Sequence, residues 1–306
     1  MDVLCVGIFV VDVIGRPIDS FPEKGKLMLF DELEMHTGGC ANNTATVLAR
    51  LGISAGGMGK IGQDGFGDFI LRTLTENGVN TEGIVRESTA NTSFTFVSVA
   101  SDGERTFCHY MGANAALSES DLDLELIKRC KILHVAGSFV MPNFDGQPTA
   151  NILRTAKEMG VTTSLDTVWD ASGNWLKTLE PCLAYVDIFL PSIAEAEELT
   201  GRQSPPEIAE FLLDYGIQTV GLKMSEAGSY VRTKDQELYV PAYKVTPVDA
   251  TGAGDAYVAG FLAGQVMGWD VHRSAELASA TGAACVTAMG TTAGIQNLAE
   301  TLKLIR

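Results

Sequence analysis

Short apolar runs alternate with stretches of helical periodicity along most of the chain, the pattern of a mainly parallel sheet with helices on both faces. Residues 3–9 read as a first strand, followed by a helix over 41–51, a strand over 54–59 and a helix over 66–77. Further strands are predicted at 132–136, 162–166, 188–190 and 219–223, separated by helices such as 149–159 and 208–215. Residues 253–267 and 274–289 read as two more helices. The first is small and apolar on nearly every side, which predicts a buried central position.

Two stretches break the rhythm. Residues 14–36 and 92–110 alternate in the strand manner, with turns at Glu23-Lys24-Gly25-Lys26 and at Ser101-Asp102-Gly103-Glu104, the latter a hairpin signal. They predict an extra small sheet, with an edge hairpin on the main sheet as the other arrangement open to them.

At 306 residues and 46% hydrophobic, the chain can bury a substantial core as one large α/β domain or two smaller ones. Its 38 acidic and 22 basic residues give a net charge of −16, and no Lys/Arg cluster interrupts the acidic surface. No nucleic-acid partner is therefore expected. An acidic protein that handles an anionic ligand must find positive potential locally, from helix-start amides and bound cations, so metal ions are expected. Cys5, Cys40, Cys108, Cys130, Cys182 and Cys285 show no CxxC spacing or pairing rhythm, which argues against a zinc site and a disulfide framework. None of the four histidines has metal-ligand spacing. The apolar first ten residues carry Asp2 where a signal peptide is basic, and are too few to span a bilayer. A cytoplasmic protein without a membrane partner is the expectation.

The most informative segment is Val248-Asp249-Ala250-Thr251-Gly252-Ala253-Gly254-Asp255, which ends an extended stretch, turns on glycine and leaves a carboxylate in the first turn of a helix. Glycine lets backbone approach an anion closely, while the unpaired amides and dipole of a helix start attract it. Beside such an anion, Asp255 can take the proton from an attacking hydroxyl during phosphoryl transfer. Taken alone, the segment is equally a tight strand-to-helix turn with a helix-start aspartate. Gly38-Gly39-Cys40-Ala41-Asn42-Asn43 is a second glycine turn opening a helix, and Gly59-Lys60-Ile61-Gly62-Gln63-Asp64-Gly65-Phe66-Gly67 reads as a third glycine-rich turn.

With these segments in this order, the chain resembles the ribokinase-like (PfkB) carbohydrate kinases, which carry GGxxxN, GxxGxDxxG and DTxGAGD motifs. Gly7 and Asp12 match the GxxxxD spacing that closes the family's first strand, and the resemblance runs over essentially the whole chain. It implies a three-layer α/β/α fold over residues 1–306, with a mainly parallel central sheet. Segments 14–36 and 92–110 would form a small β-sheet lid that covers the sugar and pairs with a second subunit's lid in a homodimer. ATP and Mg2+ are implied as well. Asp255 becomes the catalytic base, with Gly252, Ala253 and Gly254 supplying amides to the transferred group.

The same resemblance makes Asp12, Gly38, Gly39 and Asn43 sugar contacts, and a carboxylate and an amide can share paired hydrogen bonds with adjacent hydroxyls. From the residues alone, Asp12 could instead terminate a strand and Asn43 could bond its own backbone. Asp249 matches a position associated with a monovalent cation such as K+, with a turn-forming aspartate as the alternative, and Ala250 replaces the commoner Thr there. Glu195 matches the glutamate of an NxxE segment linked to magnesium and phosphate placement. Ser192 stands in for its asparagine, and the pair also reads as a helix capping box. Lys223-Met224-Ser225-Glu226-Ala227-Gly228 is similar to a KxGxxG turn near the nucleotide, with Ser225 replacing the first glycine; otherwise Lys223 is an exposed strand-end lysine. Asp166 falls where relatives carry a DxN segment and receives no role, because Val168 replaces the asparagine.

The expected activity is transfer of the γ-phosphoryl group of ATP to a hydroxyl, most simply a primary one, of a small carbohydrate. A pentose is slightly favoured, because Gly112-Ala113-Asn114 is similar to a GAN segment of ribokinases. Cys40, where ribokinases commonly carry lysine, leaves other sugars, sugar acids and nucleosides open. A nucleoside kinase is the reading if Phe94, Phe96 or Met111 lines an apolar slot for a base, and a carbohydrate-binding sensor without turnover is the reading from another class. Gly57-Met58-Gly59-Lys60-Ile61-Gly62 fits a bare GxGxxG, but it is not the first strand-helix turn and no helix opens directly after it, which disfavours a dinucleotide-binding dehydrogenase.

Overall fold

In the computed structural model, which describes residues 1–305, the strands in chain order are β1 (Val3–Gly7), β2 (Val10–Arg16), β3 (Glu32–Gly38), β4 (Ala55–Gly62), β5 (Asn80–Glu87), β6 (Phe94–Val99) and β7 (Arg105–Tyr110), then β8 (Ile132–Ser138), β9 (Thr162–Thr167), β10 (Ile188–Phe189), β11 (Thr219–Lys223), β12 (Ser229–Thr233) and β13 (Glu237–Val240). Nine of them form one sheet in the order β13-β12-β11-β10-β9-β8-β1-β4-β5, and β3-β2-β6-β7 form a second, separate sheet. In the nine-stranded sheet pairing is parallel from β5 to β11 and antiparallel only in β11-β12-β13, whereas in the small sheet β2-β3 and β6-β7 are antiparallel and β2-β6 is parallel.

Every residue of β1, β4 and β8 is buried, as expected of parallel strands covered on both faces. One face carries the helices Cys40–Arg50, Gly65–Glu76, Ala253–Val266 and Val271–Cys285, and the other carries Leu124–Lys128, Gln147–Glu158, Leu176–Leu183 and Pro205–Leu213. The result is a three-layer α/β/α fold. The all-round apolar helix is central as expected, buried from Ala256 to Gly264. Its Gly260 and Gly264 face Ala278 and Ser274 so closely that a Cβ on either would overlap the neighbouring helix.

Several boundaries differ from the sequence reading. β1 stops at Gly7, where a Cβ would collide with the Ala136 carbonyl, and the chain then leaves the main sheet. Asn114 fixes the exit, donating to the Phe9 carbonyl at 3.0 Å and accepting from the Phe9 amide at 3.1 Å. The small sheet therefore begins at Val10, not residue 14, and Asp12 lies within β2 instead of closing β1. Residues 59–62, expected to turn, belong to β4; Gly59 is required because a Cβ there would press on the Gly7 carbonyl and the Phe9 ring. The actual turn is carried by Asp64, which caps the following helix through the Gly67 amide at 2.9 Å and also accepts from the Thr92 amide at 2.7 Å. The strands β5, β12 and β13 were not anticipated.

Candidate active site

Two helix starts from opposite ends of the chain meet at the carboxyl edge of the main sheet. Gly39 (φ 93°) caps the helix Cys40–Arg50 in a conformation that glycine adopts without strain, and a Cβ there would press on the Ile8 carbonyl. Gly252 (φ 80°) does the same for the helix Ala253–Val266, with Thr291 packed where its Cβ would be. One turn into the first helix, Asn43 Nδ2 donates to Asp255 Oδ2 at 2.8 Å. The Ala253 amide closes its own turn on the Ala250 carbonyl at 3.2 Å, so it is not available to an anion. The amides of Gly254 and Asp255 have no backbone acceptor among the described residues. Burial lifts the Asp255 carboxyl above its ordinary value, against hydrogen bonds from Asn43 and Cys40 and the charge of Lys223.

Neighbouring strand ends bring further groups to this edge. Lys223, at the end of β11, is mostly covered, and its Nζ bonds Asp166 Oδ2 at 2.6 Å. The ammonium lies beside the glycine turn, 3.5 Å from the position a Cβ on Gly254 would take. Burial works against its charge, but Asp166, Glu195 and Asp255 outweigh it and raise the group above the usual lysine range. Ser192 and Glu195 form the anticipated capping box: Ser192 Oγ accepts from the Glu195 amide at 3.3 Å, and Glu195 Oε2 accepts from the Ser192 amide at 3.0 Å. Thr167 Oγ1 donates to the same Oε2 at 3.0 Å. Both of these bonds fall on Oε2; Glu195 Oε1 takes no hydrogen bond among the described residues. Ser225 adopts the left-handed conformation (φ 52°) that glycine would favour, and Gly228 (φ 91°) is needed because a Cβ would collide with the Val240 carbonyl.

The small sheet supplies the opposite wall. Asp12 lies over Gly38 so closely that a Cβ on that glycine would collide with Asp12 Oδ2. Register places His36, Asp12, Thr95 and His109 in one row across β3, β2, β6 and β7, all on one face. Thr95 Oγ1 and His109 Nδ1 are 3.0 Å apart. Burial raises the Asp12 carboxyl, against the Thr95 hydrogen bond and the nearby His36.

Over residues 1–298 the sequence matches the family model described as pfkB family carbohydrate kinase. The chain belongs to that family. PfkB kinases are phosphotransferases with an alcohol group as acceptor, and this chain is a sugar kinase among them. It is 30% identical over 283 residues to fructokinase-1 of Oryza sativa subsp. japonica, covering 88% of each chain. It is also 30% identical over 253 residues to ribokinase of Staphylococcus aureus (strain COL), covering 80% of each. An Escherichia coli protein described as a ribokinase II, solved with ATP and Mg2+, superposes with a TM-score of 0.85 at 26% identity, covering 99% of this chain and 98% of that one.

In this PfkB chain the sequence-predicted residues at Asn43, Gly252, Gly254, Asp255, Glu195 and Lys223 gather on one edge. Asp249 departs from expectation. Its Oδ1 accepts from Arg105 Nη1 at 2.9 Å and from the Thr251 amide and hydroxyl at 3.0 and 2.8 Å, while Oδ2 accepts from the Gly290 amide at 3.0 Å. A guanidinium already neutralises this carboxylate, so the K+ assignment does not fit. Among the described residues no three His, Cys, Asp or Glu side chains form a metal-holding group. Arg105 and Asp166 are the residues the sequence reading missed, because their partners lie 144 and 57 positions away. All six cysteines are free, and no helix among the described residues is long and apolar enough to cross a membrane.

Proposed function

We propose that this PfkB kinase transfers the γ-phosphoryl group of ATP to a primary hydroxyl of a small carbohydrate, with Asp255 as general base. The observation that supports it best is the 2.8 Å bond from Asn43 to Asp255, which joins the sugar-side helix to the carboxylate of the glycine turn. Asp12 and Asn43, over Gly38 and Gly39, hold and orient the sugar, a positioning effect that accounts for much of the rate in such reactions. As the acceptor oxygen bonds to phosphorus its proton passes to Asp255, while the bond from phosphorus to the β–γ bridging oxygen breaks and its electron pair leaves with ADP. The Gly254 and Asp255 amides and the Lys223 ammonium face the charge on the transferred group. Ser192, Ser225 and Gly228 line the nucleotide side. Glu195, together with the phosphates of ATP, would hold Mg2+, which would supply further neutralisation there.

The small sheet acts as a lid that keeps water from the phosphoryl group. Its outward side and the adjoining loop expose Phe21, Leu27, Leu29, Leu33 and Met35, and such a patch on an otherwise acidic surface supports pairing of two lids in a homodimer. The nucleoside reading is weakened by register. Thr95 pairs with Asp12, so Phe94 and Phe96 project from the opposite face, where Phe94 stacks on Phe66 beside a cavity of about 470 Å³. Asn114 is occupied by the Phe9 backbone, so it offers no support for a pentose over other small sugars.

The test is ADP release over a panel of pentoses, hexoses, sugar acids and nucleosides, with Asp255→Asn as control. ADP formed regardless of any added acceptor counts against the kinase reading. Sugar binding with no ADP from any acceptor favours a sensor.

A further inference from the structure

The carboxylate of Asp249, just before the glycine turn, is 3% exposed, and its guanidinium partner belongs to the small sheet, not to the turn itself. Arg105 opens β7, donates from Nη1 to Asp249 at 2.9 Å and to Thr251 Oγ1 at 3.1 Å, and is itself largely covered. Despite burial, hydrogen bonds from Thr251, Gly290 and Arg105 hold Asp249 down at about 2, so the carboxylate is always ionised near neutral pH. A buried anion needs a compensating cation, and removing that partner is far more damaging than breaking a surface pair. Three donors crowd Oδ1 and one sits on Oδ2, and with a guanidinium in place the carboxylate has no unbalanced charge to offer a metal ion.

We propose that Arg105, delivered by the small sheet, serves as the built-in cation of the phosphoryl-binding turn, so that this kinase turns over without a monovalent metal ion. The proposal rests on the kinase reading for its rate measurement. Arg105 is a positioning residue: it acts on the turn through Asp249 and Thr251. Register puts it on the same face of the sheet as Asp12, since Val99, its partner, shares parity with Thr95. One rigid element thus carries both the sugar-binding carboxylate and the cation, and charge balance at the turn is completed only when that sheet is docked.

Wild-type enzyme in tetramethylammonium buffer should change by less than about twofold in kcat when KCl is added, and its Tm should not move. Arg105→Ala should lose about tenfold or more in kcat without KCl, regain much of it with KCl, and gain a KCl-dependent rise in Tm, because an ion that binds only the folded state stabilises it. Arg105→Lys keeps the charge and should remain indifferent to KCl. If Arg105→Ala does not fold, Arg105→Gln replaces it in both measurements. KCl stimulation of the wild type by about tenfold overturns the proposal, as does a neutral variant indifferent to KCl in both rate and Tm. A lysine variant that behaves like the alanine one also overturns it. If no acceptor yields ADP, the kinase reading fails, while the Tm comparison still decides whether Arg105 fills a cation position.

Discussion

Asn43 Nδ2 lies 2.8 Å from Asp255 Oδ2, joining two residues that are 212 positions apart in the chain. The amide orients the carboxylate through its hold on Oδ2. Replacing Asp255 with Asn keeps the shape and removes the basicity. The kcat of Asp255→Asn should fall by at least about two orders of magnitude with little change in nucleotide affinity. Steady-state kinetics and ATP titration check both; near wild-type rates would remove Asp255 as the base.

A general base works only when ionised, so kcat/KM must fall as pH drops through its pKa. Burial raises Asp255, which places the acid limb above the ordinary aspartate value of 3.8. A pH–rate profile in which the limb sits at or below that value would contradict the environment described here. The residual activity of Asp255→Asn should lack the limb altogether.

Gly38 tests the sugar side. A methyl group there collides with Asp12 Oδ2 and must push the carboxylate away. Gly38→Ala should raise KM for the sugar about tenfold or more while ATP binding is retained, since displaced positioning groups weaken one substrate selectively. Equal loss of both affinities would point to general unfolding of the site.

Lys223 and Asp166 form a buried pair at 2.6 Å, with side chains 13% and 4% exposed. Lys223→Met leaves Asp166 without its partner and should destabilise the fold by about 3 kcal/mol; adding Asp166→Asn should recover much of that. Urea denaturation of both variants measures the difference. If the single variant is as stable as wild type, the ammonium is not neutralising Asp166.

The apolar outer side of the small sheet gives a prediction about assembly. Leu29 is 85% exposed, so a charge there costs the monomer little. Leu29→Glu should convert a homodimer to monomer in sedimentation or light scattering, with thermal stability of the monomer unchanged. A wild-type protein that is monomeric at assay concentration would end the lid-pairing proposal.

The layers of this fold, its two helix starts and Asp255 were legible in the sequence because glycine turns, caps and apolar periodicity are local properties. Ser192 and Glu195 were legible for the same reason, since a capping box spans only four residues. Asp12 was placed on the wrong strand because Gly7 ends β1 through contact with Ala136, a neighbour that only sheet pairing supplies. Gly59 was read as a turn because a glycine needed for close strand packing has the same letter as one needed for positive φ.

The sequence by itself determined the alternation of strands and helices, the acidic surface and the chemistry of the glycine turn, all written in neighbouring residues. Only the tertiary structure decided that Asn43 meets Asp255, that Lys223 lies beside Gly254, and that Arg105 pairs with Asp249. Those choices depend on which distant segments share a sheet edge, and burial then sets the strength of each charge they bring together.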